Sequence, residues 1–219
     1  MKHLVIIGSG RHAAVVQDCA PKGSFTLLGH VCDHNPKGSA CGNLSVLGPL
    51  SILPDLMDQF GDLCGVIGVG NNSYRIDIAN TIEQMLPSFK WVSVTHESAI
   101  VSSSAVIEPG AVLMPGTIVN TGTRIGRHAL INTGSIIEHD NVIESFASTG
   151  SRATTGGNVR LGRASHLGIG ATVRQDITIG NSVVVGGQSF VCSDLEDGGL
   201  YYGVPAKKIR NRIPDDQYL

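Results

Sequence analysis

Aliphatic residues recur at every sixth position over much of this chain, from Val101 to Val191. Of the sixteen positions in this phase, only Thr149 and Thr155 are not aliphatic. A mostly small residue stands four places after each of them, and glycine often follows directly. The aliphatic members are Val101, Ile107, Leu113, Val119, Ile125, Ile131, Ile137, Ile143, Leu161, Leu167, Val173, Ile179, Val185 and Val191.

A period of six fits neither the 3.6-residue repeat of an α-helix nor the alternation of a plain β-strand. It is typical of a parallel β-helix, in which each hexad forms a short strand and a corner, and three hexads complete one triangular coil. Each aliphatic side chain would point inward and stack on its counterpart one coil away. The alternative is an antiparallel sandwich with evenly spaced strands, but its irregular loops would lose the phase within a few strands.

Before the hexads, three apolar runs each end in a turn that carries glycine or polar residues. The pattern indicates a small α/β, Rossmann-like unit whose parallel sheet presents backbone N–H groups and an acid to a ligand at its carboxyl edge. The alternative is that the glycines serve turn geometry alone, because the motif GSGRHA lacks the third glycine of GxGxxG. The turns are Gly8-Ser9-Gly10, Asp33 and Gly70-Asn71.

These patterns divide the chain into three parts. We expect an α/β ligand-binding domain over 1–95, with its last strand at 91–94, a β-helix domain over 96–193, and a C-terminal loop and tail over 194–219. No flexible linker separates the first two parts, so they should pack as a rigid pair. An open β-helix leaves an unpaired strand edge at each end, and the N-terminal unit and the tail are the expected covers.

The hexads between Ile131 and Leu161 depart most from the pattern. They contain Glu138-His139-Asp140, an imidazole between two carboxylates. Neighbouring residues on a strand point to opposite sides, so at most one of these acids can share the side of the imidazole unless the backbone bends there. A carboxylate in contact would fix the tautomer and strengthen the ring as a base. A surface histidine in a polar corner is the alternative, but the clustering of irregular hexads favours catalysis.

Composition excludes several classes of protein. The net charge of −2 over 219 residues gives no basic field for nucleic acid, and no run of eighteen apolar residues suggests a membrane span. The N-terminal residues lack the layout of a cleavable signal, so a cytoplasmic location is expected. The five cysteines are odd in number and lack metal-type spacing, so reduced thiols and no bound metal are expected.

Seven segments spread over nearly the whole chain carry a family resemblance. They are GSGRHAAVV, VIGVGNN, INTGSIIEHD, GGNVRLG, LGIGATV, VVVGGQ and YYGVPAKK. The chain resembles the nucleotide-sugar acetyltransferases of the sialic-acid and bacillosamine type, which are left-handed β-helix hexapeptide acyltransferases. This resemblance implies a left-handed coil, a homotrimer and acetyl-CoA held between neighbouring coils.

The resemblance also implies roles for individual residues. His139 would be the general base, Glu138 its orienting carboxylate and Asn132 a polar contact near the reacting amine. A second histidine, frequent in the family, is replaced here by Ser148. The nucleotide sugar would be held by Gly8, Gly10, Arg11, His12, Asp33, Gly70, Asn71 and Arg75. Acetyl-CoA would contact Ser148, Gly156, Gly157, Ile169 and Gly187, with the Gly157 N–H as oxyanion donor.

The implied activity is acetyl-CoA-dependent N-acetylation of a nucleotide-linked amino sugar, with UDP-4-amino-4,6-dideoxy-N-acetylhexosamine as the expected acceptor, in cell-surface polysaccharide biosynthesis. Sialic acid O-acetylation is the alternative within the class. Three other classes stay open: a zinc lyase using His128, His139 and His166 across subunits, a dinucleotide-dependent oxidoreductase, and a non-catalytic nucleotide-sugar sensor. The oxidoreductase fits poorly, because the N-terminal unit is too small for a two-half dinucleotide fold.

Overall fold

The computed structural model describes residues 1–213 and Asp216. The N-terminal unit is a six-stranded sheet of order β3-β4-β2-β1-β5-β6, parallel except for the β3–β4 pair. Its elements are β1 (Lys2–Ile7), α1 (Arg11–Cys19), β2 (Phe25–Val31), β3 (Ala40–Cys41), β4 (Leu44–Gly48), a 3₁₀ helix (Leu50–Ile52), α2 (Leu53–Phe60), β5 (Leu63–Ile67), α3 (Asn72–Met85) and β6 (Lys90–Trp91).

Both faces of this sheet are covered, as expected for parallel strands with continuous apolar runs. One face carries Val5 and Ile7, which pack in a cluster with residues of α2 and α3. The other face carries Leu4 and Ile6, which pack with α1 and with Met114 of the hexad region. The α/β unit and the hexads therefore share one apolar core and form the rigid pair that the sequence predicts.

The hexads fold into seventeen two-residue strands that stack into a three-sided prism, a left-handed β-helix. Each strand pairs in parallel with the strand one coil away, for example Ile118 with Ile136. The strands are β7 (Val94–Thr95), β8 (Ile100–Val101), β9 (Val106–Ile107), β10 (Val112–Leu113), β11 (Ile118–Val119), β12 (Arg124–Ile125), β13 (Leu130–Ile131), β14 (Ile136–Ile137), β15 (Val142–Ile143), β16 (Ser148–Thr149), β17 (Thr154–Thr155), β18 (Arg160–Leu161), β19 (His166–Leu167), β20 (Thr172–Val173), β21 (Thr178–Ile179), β22 (Val184–Val185) and β23 (Phe190–Val191).

The prism has three faces. The first face contains β7, β10, β13, β16, β19 and β22, the second β8, β11, β14, β17, β20 and β23, and the third β9, β12, β15, β18 and β21. The second residue of each strand points inward, and these side chains form one continuous core with the small residues that stand four places further on. We call the corner between the first and second faces the first edge, and the corner between the second and third faces the second edge.

One predicted boundary is wrong, and one predicted segment contains strands that the sequence did not indicate. Val94 does not end the α/β unit, because Val94–Thr95 pairs with β10 and is already the first strand of the prism. Residues 194–219 are not only a loop and tail. Two further strands, β24 (Gly199–Gly203) and β25 (Ala206–Asn211), form a hairpin, and β24 pairs with β22 and extends the first face. Residues 214, 215 and 217–219 of the predicted tail lie outside the described part.

In the described part of the chain, no helix has both the length and the apolar character needed to cross a membrane.

Candidate active site

The loops after β1, β2 and β5 meet at the carboxyl edge of the N-terminal sheet. Gly8 N–H donates to the Val31 carbonyl at 2.8 Å, and Gly68 N–H donates to the Ile7 carbonyl at 2.8 Å, so the three loops lie side by side. Gly8 has φ +111°, and a Cβ there would lie 3.0 Å from Val69 Cγ2, so both backbone conformation and space favour glycine. This carboxyl edge corresponds to the place at which nucleotide-binding folds hold their ligands.

The N-terminus of α1 faces this edge without a side-chain cap. The N-cap residue is Gly10, which has no side chain to accept a hydrogen bond from the first N–H groups of the helix. Arg11 is exposed beside it. Free N–H groups and the positive end of a helix dipole attract phosphate oxygens. The predicted ligand residues Gly8, Gly10, Arg11 and Asp33 therefore belong to one surface of the α/β unit.

Asp33 is partly committed within the protein. One carboxylate oxygen, Oδ1, accepts a hydrogen bond of 2.8 Å from the backbone N–H of Leu50, at the start of the 3₁₀ helix. The residue is nonetheless exposed, so part of its carboxylate still faces solvent. Its position after β2 agrees with a ligand role.

Arg75 does not hold the ligand position that the sequence predicts. It is buried, with 2% of its surface exposed. Its guanidinium donates to the carbonyls of His128 at 3.1 Å and Phe146 at 2.9 Å, and to Asn72 Oδ1 at 2.7 Å. These contacts join α3 to the prism. The prediction was wrong because the side chain that follows the glycine turn points into the domain interface.

A cavity of about 350 Å³ lies between the α/β unit and the first edge of the prism. Its lining includes His12, Gly70 and Asn71 from the α/β unit, and Leu130, Asn132, Ser148, Thr149 and His166 from the prism. Burial, followed by the charge of Arg75, lowers the pKa of His12 to about 4. His12 is therefore neutral near pH 7, and in the described structure its buried Nε2 has no hydrogen-bond partner. The His12 ring can therefore form a hydrogen bond with a polar ligand in this cavity.

A second cavity of about 480 Å³ continues along the first edge towards the C-terminal end of the prism. Ile169, Gly187 and Tyr202 line it, together with Asn132 and His166. Ile169 is largely exposed and offers an apolar contact. We call this second cavity the coil groove. Asn132 and His166 line both cavities, so a ligand in each would meet at these two side chains.

Ser148 and His166 form a buried pair in the wall of the first cavity. Ser148 Oγ lies 2.8 Å from His166 Nδ1. Burial, then the charges of Arg75 and Arg212, lower the pKa of His166 to about 4, so the ring is neutral near pH 7. His166 was predicted only as a possible zinc ligand and not for this site, although it stands one coil after Ser148.

His139 lies elsewhere, on the second edge. Its side chain is 55% exposed, and its Nδ1 donates to Asp140 Oδ2 at 2.8 Å. This hydrogen bond is the main cause that raises the pKa of His139, with the charges of Asp140, Glu138 and Asp176 acting in the same direction. With the proton on Nδ1, Nε2 is left as the basic nitrogen.

The carboxylate that contacts the His139 ring in the structure is Asp140 and not Glu138, which the sequence predicts. Glu138 Oε2 accepts instead from Asn120 Nδ2 at 3.0 Å. The cause is the corner itself. Asp140 has a left-handed backbone with φ +58°, and this bend brings its carboxylate to the side of the imidazole.

The predicted acetyl-CoA residues fall on two edges. Ile169 and Gly187 lie at the first edge, and Ser148 lies on the first face in the wall of the first cavity. Gly156 and Gly157 follow β17 at the second edge, where Gly157 lies directly beneath the imidazole of His139. Within one protomer, the predicted base therefore lies on a different edge from both cavities.

The three histidines considered for zinc also lie apart. His128 is packed between Trp91 and Phe146, with ring centroids 4.8 and 5.0 Å away. His166 is in a strand of the first face, and His139 is on the second edge. Within the described residues, no group of three or more His, Cys, Asp or Glu side chains is arranged to hold a metal ion.

Comparison with known proteins agrees with this architecture. The model of the PglD N-terminal domain family matches residues 3–82. A UDP-N-acetylbacillosamine N-acetyltransferase from Bacillus subtilis (strain 168) is 37% identical over 102 residues, which are 47% of this chain and 46% of that protein. The chain therefore aligns with about half the length of this curated relative.

Solved structures match over almost the full length. GDP-perosamine N-acetyltransferase from Caulobacter crescentus, a histidine-to-alanine variant in complex with CoA and GDP-perosamine, has a TM-score of 0.89 at 32% identity, covering 96% of this chain and 98% of that one. The acetyltransferase domain of PglB from Neisseria gonorrhoeae FA1090, in complex with acetyl coenzyme A, has a TM-score of 0.86 at 30% identity, covering 95% and 99%. The chain therefore belongs to the nucleotide-sugar N-acetyltransferases of the sialic-acid and bacillosamine type, a family of left-handed β-helix hexapeptide acyltransferases.

Proposed function

We propose that this protein transfers the acetyl group of acetyl-CoA to the amino group of a nucleotide-linked amino sugar, with UDP-4-amino-4,6-dideoxy-N-acetylhexosamine as the acceptor. The observation that carries the proposal is the meeting of the two cavities at Asn132 and His166. One cavity adjoins the nucleotide-type edge of the α/β unit, and the other is the coil groove. A sugar amine and a thioester held in them would face each other at this junction.

The active protein is a homotrimer in this proposal, because the base must come from a neighbouring copy. The first face of the prism is covered by the α/β unit, and the third face carries Arg–Glu pairs such as Arg160–Glu144 at 2.9 Å. The outward residues of the second face are largely apolar and incompletely buried: Ile100, Ile118, Ile136 and Phe190. An uncovered apolar face of this kind favours contact with a second copy.

That contact would bring the two edges together. The second face lies between the first edge, with the cavities, and the second edge, with His139. When three copies pack with this face towards a common threefold axis, the His139 edge of one protomer approaches the first edge of the next. Each active site would then combine the cavities of one protomer with the base of another.

The proposed chemistry is a direct transfer. The neutral amine attacks the thioester carbonyl carbon, forming a C–N bond and an oxyanion. His139 Nε2 accepts the proton that the nitrogen loses. The C–S bond then breaks, and the CoA thiolate leaves and takes up a proton, which the imidazolium can supply. Asp140 stabilises the imidazolium at each turnover through its 2.8 Å hydrogen bond. The predicted Gly157 N–H, or another fixed donor, stabilises the oxyanion.

A thiol-release assay with acetyl-CoA tests this proposal across a panel of acceptors. The panel contains UDP- and GDP-linked 4-amino sugars and free sialic acid, with mass spectrometry of the product to locate the acetyl group. We expect turnover with a nucleotide-linked 4-amino sugar and an amide product. Turnover with sialic acid alone would favour the O-acetyltransferase alternative and contradict the proposal.

The role of His139 needs its own variant. His139→Asn keeps a polar side chain of similar reach but cannot accept a proton, so kcat should fall by about 10²–10⁴-fold. If this variant kept the wild-type rate, His139 would not be the base. Full activity would favour the alternative that His139 is a surface histidine in a polar corner.

A further inference from the structure

The two positions that break the aliphatic phase, Thr149 and Thr155, change the backbone hydrogen bonds of the prism. In the regular coil, the N–H that follows each inward aliphatic residue donates to the carbonyl of the aliphatic residue one coil further on. Met114 N–H donates to the Ile131 carbonyl at 2.9 Å, and Asn120 N–H donates to the Ile137 carbonyl at 2.9 Å.

Asn132 departs from this rule. Its N–H donates to the side-chain oxygen of Thr149, Oγ1, at 2.9 Å. Pairing between β13 and β16 is correspondingly reduced to Leu130 with Ser148, whereas the neighbouring strand pairs of this face keep two. Glu138 shows a weaker form of the same change, with its N–H 3.4 Å from Thr155 Oγ1 and strand pairing preserved.

The hydroxyl of Thr149 belongs to a hydrogen-bond chain of fixed direction. Asn132 N–H can only donate and the Gly150 carbonyl can only accept. Thr149 therefore donates its proton to Ser135 Oγ, 2.9 Å away, and Ser135 donates to the Gly150 carbonyl at 3.1 Å. Thr149 and Ser135 are both buried, and a polar network in a core is stable when every member has a partner.

This exchange has a consequence at the cavity wall. No backbone N–H in the described part of the chain donates to the carbonyl of Thr149, the acceptor that a regular ladder would use. Thr149 lines the same cavity as Asn132 and Ser148. The hydroxyl thus replaces the carbonyl in the ladder, and the carbonyl is left for a donor in the cavity.

We propose that Thr149 is a positioning residue for the transfer reaction. Its hydroxyl holds Asn132 out of the regular ladder, and its freed carbonyl accepts a hydrogen bond from the amino group of the sugar. The inference rests on the proposed function and adds to it a device that selects and orients a hydrogen-bond donor, an amine or a hydroxyl, beside the thioester.

The device replaces an aliphatic contact in the core. A valine at position 149 would complete the aliphatic stack, and Asn132 N–H could return to the carbonyl at 149, so no donor would be left without a partner. Regular packing and function therefore predict opposite effects for this substitution. Such opposition is expected where a local rule of the fold is broken for activity.

Three variants separate these effects. Thr149→Val removes the hydroxyl and keeps the shape. Thr149→Ser keeps the hydroxyl and removes the methyl group. Thr117→Val is the matched control, because Thr117 is buried and, in the described structure, its hydroxyl has no partner. Each variant is assayed for kcat, for KM of the amino sugar and for Tm, and a crystal structure is determined for Thr149→Val.

We expect Thr149→Val to keep or raise Tm, while kcat/KM falls by about tenfold to a hundredfold, the loss typical of a misplacement of about 1 Å. Thr149→Ser should keep most activity with a lower Tm, and Thr117→Val should keep activity. In the crystal, Asn132 N should lie within hydrogen-bond distance of the carbonyl at position 149. Wild-type kcat/KM in Thr149→Val would overturn the proposal, as would an unchanged Asn132 backbone. Because the crystal result needs no turnover, it tests the geometry even if the wild-type protein accepts no amino sugar.

Discussion

Gly157 gives the sharpest test of His139, because the imidazole lies directly on its backbone. A Cβ added at Gly157 would lie 2.5 Å from His139 Nε2 and also overlap Cε1. The three atoms nearest to that Cβ all belong to the His139 side chain. The backbone of Gly157 is not in the left-handed region, so alanine can adopt it. Gly157→Ala should therefore displace the ring and leave the coil intact.

The size of the effect follows from the overlap. Non-bonded heavy atoms prefer separations of about 3.5–4.0 Å, so the ring must move by about 1 Å. A displacement of about 1 Å at a reacting group can cost about 10²-fold in rate. Steady-state kinetics should show this loss in kcat. Urea unfolding should show unchanged or slightly greater stability, because replacing glycine by alanine reduces the entropy of the unfolded chain.

Two comparisons can refute this reasoning. Gly162→Ala is the matched variant in which the added Cβ would meet backbone, 2.5 Å from Gly180 C and 2.8 Å from Asn181 N, so it should lose stability. In a His139→Ala background, Gly157→Ala should have no further effect on kcat, since the two changes act through one side chain. An additional large loss in the double variant would mean that Gly157 acts independently of the imidazole, for example as an oxyanion donor.

Three other variants test the remaining parts of the site. The hydrogen bond to Asp140 raises the pKa of His139, and the proposed base must be neutral to accept a proton, so kcat/KM should rise with pH through this raised pKa. Asp140→Asn should move that rise to lower pH and reduce its plateau. Arg75→Ala removes a buried charged donor from several acceptors, so urea titrations should show a free energy of unfolding lower by about 3 kcal/mol or more. A variant as stable as the wild type would contradict the role of Arg75 in joining α3 to the prism. Ile136→Asp places a charge on the second face and should give monomers in light scattering, with loss of transfer; a trimer of normal activity would place the interface elsewhere.

The hexad phase was sufficient to predict the prism. Each aliphatic position from Val101 to Val191 occupies a strand and points inward, because only stacking between coils can bury a residue repeated every six positions. The first strand and the C-terminal hairpin were missed for the same reason. Thr95 holds an inward position at the start without being aliphatic, and the hairpin from Gly199 to Asn211 covers the last coil without any hexads.

The site was predictable only within the prism, where a partner stands about one coil away. Ser148 contacts His166, and Glu138 contacts Asn120, each eighteen positions apart. This spacing could have identified His166 before the structure. No period links Arg75 to the His128 carbonyl, 53 residues away, so its burial against the prism could not be derived from the pattern. The bend at Asp140 depends on a corner conformation that strand alternation does not describe.

Subunit mixing tests whether two protomers complete each site. His139→Ala removes the proposed base from the second edge, and Asn132→Ala removes a residue common to both cavities at the first edge. Each variant alone should be nearly inactive. If a site combines the base of one protomer with the cavities of its neighbour, trimers refolded from an equal mixture should regain about a quarter of the wild-type activity, because each of the two required protomers is intact in half of the cases. Unfolded and refolded wild-type protein provides the reference for yield. Recovery no greater than the sum of the separate variants would mean that base and cavities act within one protomer, and the trimeric site would have to be abandoned.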